Sequence, residues 1–267
     1  MKLMTWNINS VRLRAPLLKQ VADHLNPDVI CLQETKTPDE FFPKGEIEDM
    51  GFDHMAFVGM KGYNGVAIIS KYPLKDMRVF DRVGRDDCRH IAAKVEIEGK
   101  TAFDLHNLYI PAGGYEPDPI GNDKFKHKLD FVDEMADWFP ANHNATDPMV
   151  VVGDLNIAPM EHDVWDHKKM LKVVSHTPVE VEKFTNMQNA FGWYDALRHF
   201  VPDEEKLYTW WSYRAKDWAA ADKGRRLDHI WVTDPLKGGL KSMHVLKNAR
   251  GWERPSDHAP VLVEMDI

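Results

Sequence analysis

Short apolar runs punctuated by polar residues and turn formers set the pattern of this chain. Leu3 to Ile8 alternates weakly and is β-prone enough for a first strand. Val11, Leu17, Leu18, Val21 and Leu25 recur near the helical period, so a helix is expected over Val11–Leu25, with Ser10 as its cap and Pro16 disturbing its early turns. Val29–Gln33 and Gly65–Ser70 read as buried strands, the second stopping at Tyr72-Pro73. Ile91–Ile97 and Thr101–Ile110 form a hairpin through Gly99-Lys100. A Gly- and Pro-rich stretch, Pro111 to Asp123, is a long loop of the kind that often carries function. Phe125–Phe139 follows as an amphipathic helix, then Met149–Val152 as a buried strand. Helix is expected over Asn186–Phe200, and strands over Leu227–Val232, Met243–Leu246 and Pro260–Met265.

There is no repeat, linker or low-complexity segment, so one domain over 1–267 is expected. Strands dominate the last third and strict strand–helix alternation is missing. A two-sheet core with helices outside fits better than a doubly wound parallel sheet. The longest aliphatic runs, such as Met149-Val150-Val151-Val152, are far short of the ~18 residues of a membrane span. The N-terminus has no apolar core of a signal peptide, and Cys31 and Cys88 cannot build a disulfide framework; a reducing cytoplasm is expected.

Charge changes the picture once. The net charge of −8 argues against a polyanionic partner. Yet Lys206 to Arg254 holds 11 Lys and Arg against 5 Asp and Glu, so an acidic body carries a basic C-terminal quarter. Within it Arg214, Lys216, Lys223, Arg225 and Arg226 surround Trp210-Trp211-Ser212-Tyr213 and Trp218, a mixture suited to phosphates and a stacked or extruded nucleotide.

The candidate chemistry lies where strands end. These ends carry Asn7-Ile8-Asn9, Gln33-Glu34-Thr35, Asn107-Leu108-Tyr109, Gly153-Asp154-Leu155-Asn156, Arg226-Leu227-Asp228 and Ser256-Asp257-His258. Each alone reads as turn or surface residues. Converged, they make an oxygen-rich pocket suited to Mg²⁺ or Mn²⁺ rather than zinc, because hard cations prefer oxygen ligands.

The set resembles the signature blocks of the exonuclease III family of AP endonucleases, within the endonuclease/exonuclease/phosphatase superfamily. The blocks are Trp6-Asn7-Ile8-Asn9, Leu32-Gln33-Glu34-Thr35-Lys36, Tyr109-Ile110-Pro111, Gly153-Asp154-Leu155-Asn156, Arg226-Leu227-Asp228 and Ser256-Asp257-His258, in order along essentially the whole chain. The resemblance implies a four-layered α/β sandwich, two packed β-sheets flanked by helices, with the site at one rim. It implies a metal-dependent DNA repair phosphodiesterase: AP endonuclease, 3′-phosphodiesterase and 3′→5′ exonuclease. The partner would be double-stranded DNA with abasic or blocked 3′ ends, and the protein a monomer with no membrane.

By the same resemblance Glu34 is the principal Mg²⁺ ligand (Mn²⁺ a possible substitute), within a metal set of Asn7, Asp154, Asn156, Asp257 and His258. Asp154 orients or deprotonates the attacking water, and Asn156 donates its amide to the transition state. Tyr109 lies near the scissile phosphate, and His258 contacts its oxygens, oriented by Asp228. Asn9 assists, and Trp210 and Leu227 line a pocket for a baseless sugar; the basic and aromatic stretch, apart from the resemblance, makes Arg225 and Arg226 candidates for DNA contact. Ala112, Tyr115 and Arg225 depart from the family pattern. The competing readings are a superfamily phosphoesterase acting on RNA or a phosphorylated lipid, and a non-catalytic nucleic-acid-binding module; the latter would tolerate loss of Glu34, Asp154 or His258, all of which are present.

Overall fold

Successive side chains of a strand point to opposite faces, so a run that is apolar at every position must be covered on both sides. Val29–Gln33, Val66–Ser70 and Met149–Asp154 are buried throughout, and each lies inside a sheet with layers above and below it. The computed structural model describes residues 1–267. The chain runs from β1 (Lys2–Asn7) through helix α1 (Val11–Leu25) to β2 (Val29–Gln33), β3 (His54–Val58), β4 (Val66–Ser70), β5 (Leu74–Val79), β6 (His90–Val95) and β7 (Phe103–Tyr109). Helix α2 (Asp123–Asn142), β8 (Met149–Asp154) and helix α3 (Pro178–Phe191) follow. Then come β9 (Tyr194–Asp195), β10 (Trp210–Trp211), β11 (Gly224–Arg225), β12 (Asp228–Val232), β13 (Leu240–Val245) and β14 (Val261–Met265).

Two six-stranded sheets result, in the orders β13-β14-β1-β2-β4-β3 and β5-β6-β7-β8-β12-β9, with β10 and β11 as a separate ribbon. Leu3, Cys31 and Ile68 of the first sheet meet Ala93, Leu105, Val150, Val152 and Ile230 of the second in the central core. The alternate residues Met4, Ile30, Leu32 and Ile69 pack outward on Leu17, Leu18 and Val21 of α1. Leu108, Val151 and Trp231 pack on Phe131, Val132 and Met135 of α2 and Phe184 and Met187 of α3. Helices, sheet, sheet, helices: this is the expected four-layered sandwich. No helix is long and apolar enough to cross a membrane.

Three local differences have physical causes. Ser10 does not cap α1: its φ is +87 and its side chain makes no cap bond. Instead the backbone N–H groups of Ser10 and Val11 donate to the carbonyls of Glu34 and Thr35, which fastens the helix start to the end of β2. Arg14, two residues before Pro16, leaves helical geometry, the disturbance of the early turns that was expected. The third helix is Pro178–Phe191 rather than Asn186–Phe200. Thr177 and Glu180 form a reciprocal capping box, Pro178 opens the first turn, and Gly192 ends it at φ +73. β3 and β5 were not expected, because half-buried and edge strands carry no continuous apolar run.

Candidate active site

Strand direction and register gather the polar blocks at one rim. In the second sheet Tyr109 of β7 stands beside Asp154 of the parallel β8, and Asp154 beside Asp228, the first residue of the antiparallel β12. Gly153 permits that row. Its φ is +143, and a Cβ there would lie 1.8 Å from the carbonyl oxygen of Leu108. In the first sheet β1 and β2 run parallel with Asn7 beside Gln33, so Asn7 and the following Glu34 leave the sheet together. The antiparallel β14 brings Asp257 and His258 to the same rim just before it begins. Asn9, Glu34 and Asn156 all sit in the left-handed region, at φ +50, +52 and +54. Side chains other than glycine hold that conformation at a cost of about 1–3 kcal/mol, and such residues cluster at functional sites.

One hydrogen-bonded network joins them. Nδ2 of Asn7 donates to Oε1 of Glu34 and to Oδ2 of Asp154, each at 2.9 Å. The Tyr109 hydroxyl donates to Oε1 of Glu34 at 2.8 Å. Oδ1 of Asp154 accepts the Asn156 backbone N–H at 3.1 Å, and Nδ2 of Asn156 donates to the Ile110 carbonyl at 2.9 Å. His258 lies between two carboxylates: Nδ1 is 2.8 Å from Oδ2 of Asp228, and Nε2 is 3.6 Å from Oδ2 of Asp154. On the other side Asn9 donates to Oδ1 of Asp257 at 3.2 Å, and the indole N–H of Trp210 donates to Oδ2 of Asp257 at 2.9 Å.

Burial and charge tune these groups. Burial pushes Asp154 up to about 7; His258 opposes this, and Asp228 and Glu34 reinforce it. Burial alone would depress His258, but Asp228 and then Asp154 outweigh it and push the ring up to about 10. The ring therefore holds both protons and presents an N–H at Nε2. Burial works against the Glu34 carboxylate, yet Lys36 and the hydrogen bonds from Asn7, Lys36 and Tyr109 hold it below the usual range. Burial, with Glu34 and Asp154, keeps the Tyr109 hydroxyl protonated well above its ordinary value.

The network forms the floor of a cavity of about 690 Å³ lined by Glu34, Tyr109, Asp154, Asn156, Asp257 and His258. Trp210, Leu227, Val174 and Trp165 make its apolar wall. Ala112 and Tyr115 also line it; Tyr115 is 81% exposed and lies under the Arg214 guanidinium. Of the paired arginines only Arg225 faces this cavity. Arg226 corrects the sequence reading. Its guanidinium is fully buried, with Nε and Nη2 on Asp163 and Nη1 on Asp195, and those carboxylates leave it nothing to offer a phosphate. The two residues are neighbours on an extended segment, so their side chains point to opposite sides.

The cavity floor suits a hard divalent cation. Apart from the His258 ring its donors are oxygens, and the Glu34 and Asp257 carboxylates retain free lone pairs beyond the hydrogen bonds they accept. Asn7 turns its nitrogen toward Glu34 and Asp154 while its oxygen accepts the Asn9 backbone N–H, so here it bridges carboxylates. Asp154, Asp228 and His258 also lie close enough to share an ion, but Asp228 and the doubly protonated His258 are engaged with each other. A second grouping, Asp104, His106 and His143, lies elsewhere in the second sheet. There Arg82, which has donors only, gives Nε and Nη2 to Nδ1 of His90. The His90 proton must then sit on Nε2 and point at Nδ1 of His106, leaving the His106 proton on Nε2, where a cation would need a lone pair.

Sequence reasoning gave no role to three residues of the site. Lys36 lies 2.6 Å from Oε2 of Glu34 and donates to Asn9 Oδ1 at 2.7 Å. Its place two residues after Glu34 was the available signal. Thr209 donates to Oδ2 of Asp228 at 2.6 Å and accepts the Leu227 and Asp228 backbone N–H groups. Lys128 of α2 is fully buried against Glu180 of α3 and donates to the Asn156 carbonyl at 2.7 Å. Nothing in the sequence pairs either with the site.

The family model for the Endonuclease/Exonuclease/phosphatase family matches residues 4–258. Exodeoxyribonuclease III of Haemophilus influenzae is 30% identical over 273 residues, covering 99% of each chain. The structure of an AP endonuclease from Archaeoglobus fulgidus superposes with a TM-score of 0.91 at 30% identity, covering all of both chains. The 3′ phosphatase NExo from Neisseria, bound to a product DNA hairpin, superposes at 0.88 with 33% identity over the full length of both.

Proposed function

The chain belongs to the endonuclease/exonuclease/phosphatase family, and from that premise we propose that it is a metal-dependent DNA repair phosphodiesterase. Its reactions would be incision at abasic sites, release of blocked 3′ ends and 3′→5′ exonuclease digestion of duplex DNA. The observation that carries this reading is the row of hydrogen bonds and ion pairs Glu34–Asn7–Asp154–His258–Asp228 on the floor of the cavity. The DNA repair nucleases it resembles support the substrate class. An AP endonuclease and a 3′ phosphatase share this fold, which supports reading incision and 3′-end release as the work of one centre.

Glu34 and Asp257 would hold Mg²⁺ or Mn²⁺, which when bound supplies charge neutralisation at the phosphate oxygens. The protein's own groups do the rest. Asp154, fixed by Asn7 and the Asn156 backbone, takes a proton from the water that attacks phosphorus. His258 donates from Nε2 to a non-bridging oxygen, held by Asp228. The Tyr109 hydroxyl, released from Glu34, donates to another. Trp210 and Leu227 receive the group on the far side of the phosphorus, and an abasic sugar enters at least cost because no base pair is lost.

The test is incision of a duplex carrying one tetrahydrofuran abasic analogue beside its undamaged counterpart. A single nick 5′ to the analogue in Mg²⁺ or Mn²⁺, absent in excess EDTA, is expected. Undiminished incision in EDTA, or cleavage of RNA or a phosphoinositide in place of DNA, would overturn the reading.

A further inference from the structure

Arg225 is the one arginine or lysine of the cavity that is partly buried, and no carboxylate is bonded to it. Its Nη1 is spent on the Val174 carbonyl at 3.1 Å and on Oγ of Ser175 at 2.9 Å. Its guanidinium lies 5.0 Å from the centre of the Trp210 ring, which fixes its plane against the wall. Nε is buried without a partner, while Nη2 has no protein acceptor and is not sealed from the cavity. The carboxylate that acts on it, Glu180, is already paired with Lys128, and a half-desolvated cation without a bonded counter-charge of its own is costly unless a ligand completes it. The other basic residues of the cavity differ: Arg214 and Lys223 are exposed at the mouth, over Tyr115 and Trp165.

The connection to the chemistry is short. Arg225 stacks on Trp210, and Trp210 donates to Asp257, which faces the scissile phosphate in the function proposed above. Arg225 and Asp257 therefore line one cavity with Trp210 between them, on the side where the pocket receives the group beyond the phosphorus. We propose that this pocket selects 3′-blocking groups that carry their own oxyanion, a carboxylate joined to the 3′-phosphate through a short linker, over neutral groups of the same size. This rests on the phosphodiesterase reading and specifies its substrate. In the reaction, water adds to phosphorus and the P–O3′ bond breaks. The proton of the attacking water passes to Asp154, the 3′-oxygen leaves and is protonated from solvent, and the blocking group departs as its phosphate monoester.

The experiment compares two duplexes that differ only at the 3′ end, one closed by phosphoglycolate and one by the neutral phosphohydroxyethyl ester. The readout is the ratio of their kcat/KM values, for wild type, Arg225→Leu and Arg225→Lys, each first checked for native folding by circular dichroism. Wild type should prefer the carboxylate about tenfold to a hundredfold, the span of one charge-assisted hydrogen bond. The ratio should fall to about one in Arg225→Leu and be partly kept in Arg225→Lys. A wild-type ratio near one with both ends processed would overturn the proposal and leave the phosphodiesterase reading standing. So would a preserved ratio in Arg225→Leu accompanied by a reduced salt slope of binding, because Arg225 would then contact a flanking DNA phosphate. Failure of wild type to process either end in Mg²⁺ would instead overturn the reading beneath it.

Discussion

The indole nitrogen of Trp210 donates a hydrogen bond to Oδ2 of Asp257 at 2.9 Å. The pocket wall and the cavity floor are therefore one unit, although the sequence suggested that Trp210 touches only the sugar. The two roles separate by substitution. Trp210→Phe keeps an aromatic wall and loses the donor, so it should raise the Mg²⁺ concentration for half-maximal incision with little change in abasic preference. Trp210→Ala should lose both. Metal titrations of incision on abasic and intact duplexes decide it, and an unchanged Mg²⁺ requirement in Trp210→Phe would show that the bond to Asp257 does not matter.

Asp228 and His258 should behave as a pair. His258 is raised to about 10 in the folded protein against 6.5 for the free side chain. Its stabilising contribution is thus complete below the lower value and is lost as pH rises through the upper one. Asp228→Asn should bring the deprotonation of His258 down, read by nitrogen NMR of the ring in EDTA-treated protein. Turnover should fall about 10²–10⁴-fold, and Asp228→Asn with His258→Asn should do little more than His258→Asn alone. A neutral His258 ring at pH 8 in wild type would count against the pairing.

Arg226 should be a stability residue. Arg226→Met leaves Asp195 without its cation and Asp163 with Arg198 alone, and breaking such a buried pair typically costs about 3–5 kcal/mol in urea unfolding. The salt dependence of DNA binding should stay as in wild type. A full-stability variant whose slope drops by about one contact would restore Arg226 to the DNA footprint.

The Lys128–Glu180 pair should hold the Asn156 loop from behind. Lys128 donates to the Asn156 carbonyl, while Glu180 accepts from the Ser175 and Thr177 backbones. Lys128→Met should cost about 3–5 kcal/mol, and the double variant with Glu180→Gln less than the two single losses together. Strict additivity in unfolding measurements would show the two act separately.

The buried strands and α1 were legible because a fully apolar run, or a helical period, states its burial locally. The third helix starts where Thr177-Pro178-Val179-Glu180 carries a capping box, a local signal of its start, whereas the apolar residues beyond Gly192 pack in β9 and the turns after it. Glu34, Asp154 and His258 were found by their places at strand ends, and the cavity floor unites all three.

The sequence by itself determined which residues could line the rim, since each polar block directly follows or precedes an apolar strand. Only the tertiary structure decided how neighbours divide. Arg225 and Arg226 are chemically the same and adjacent, yet one faces the cavity and the other an internal pair of carboxylates. That division depends on which way the segment enters β12 and on Asp163 and Asp195, which lie 63 and 31 residues away. Contacts at such separations are formed by sheet register and layer packing, and no local pattern encodes them.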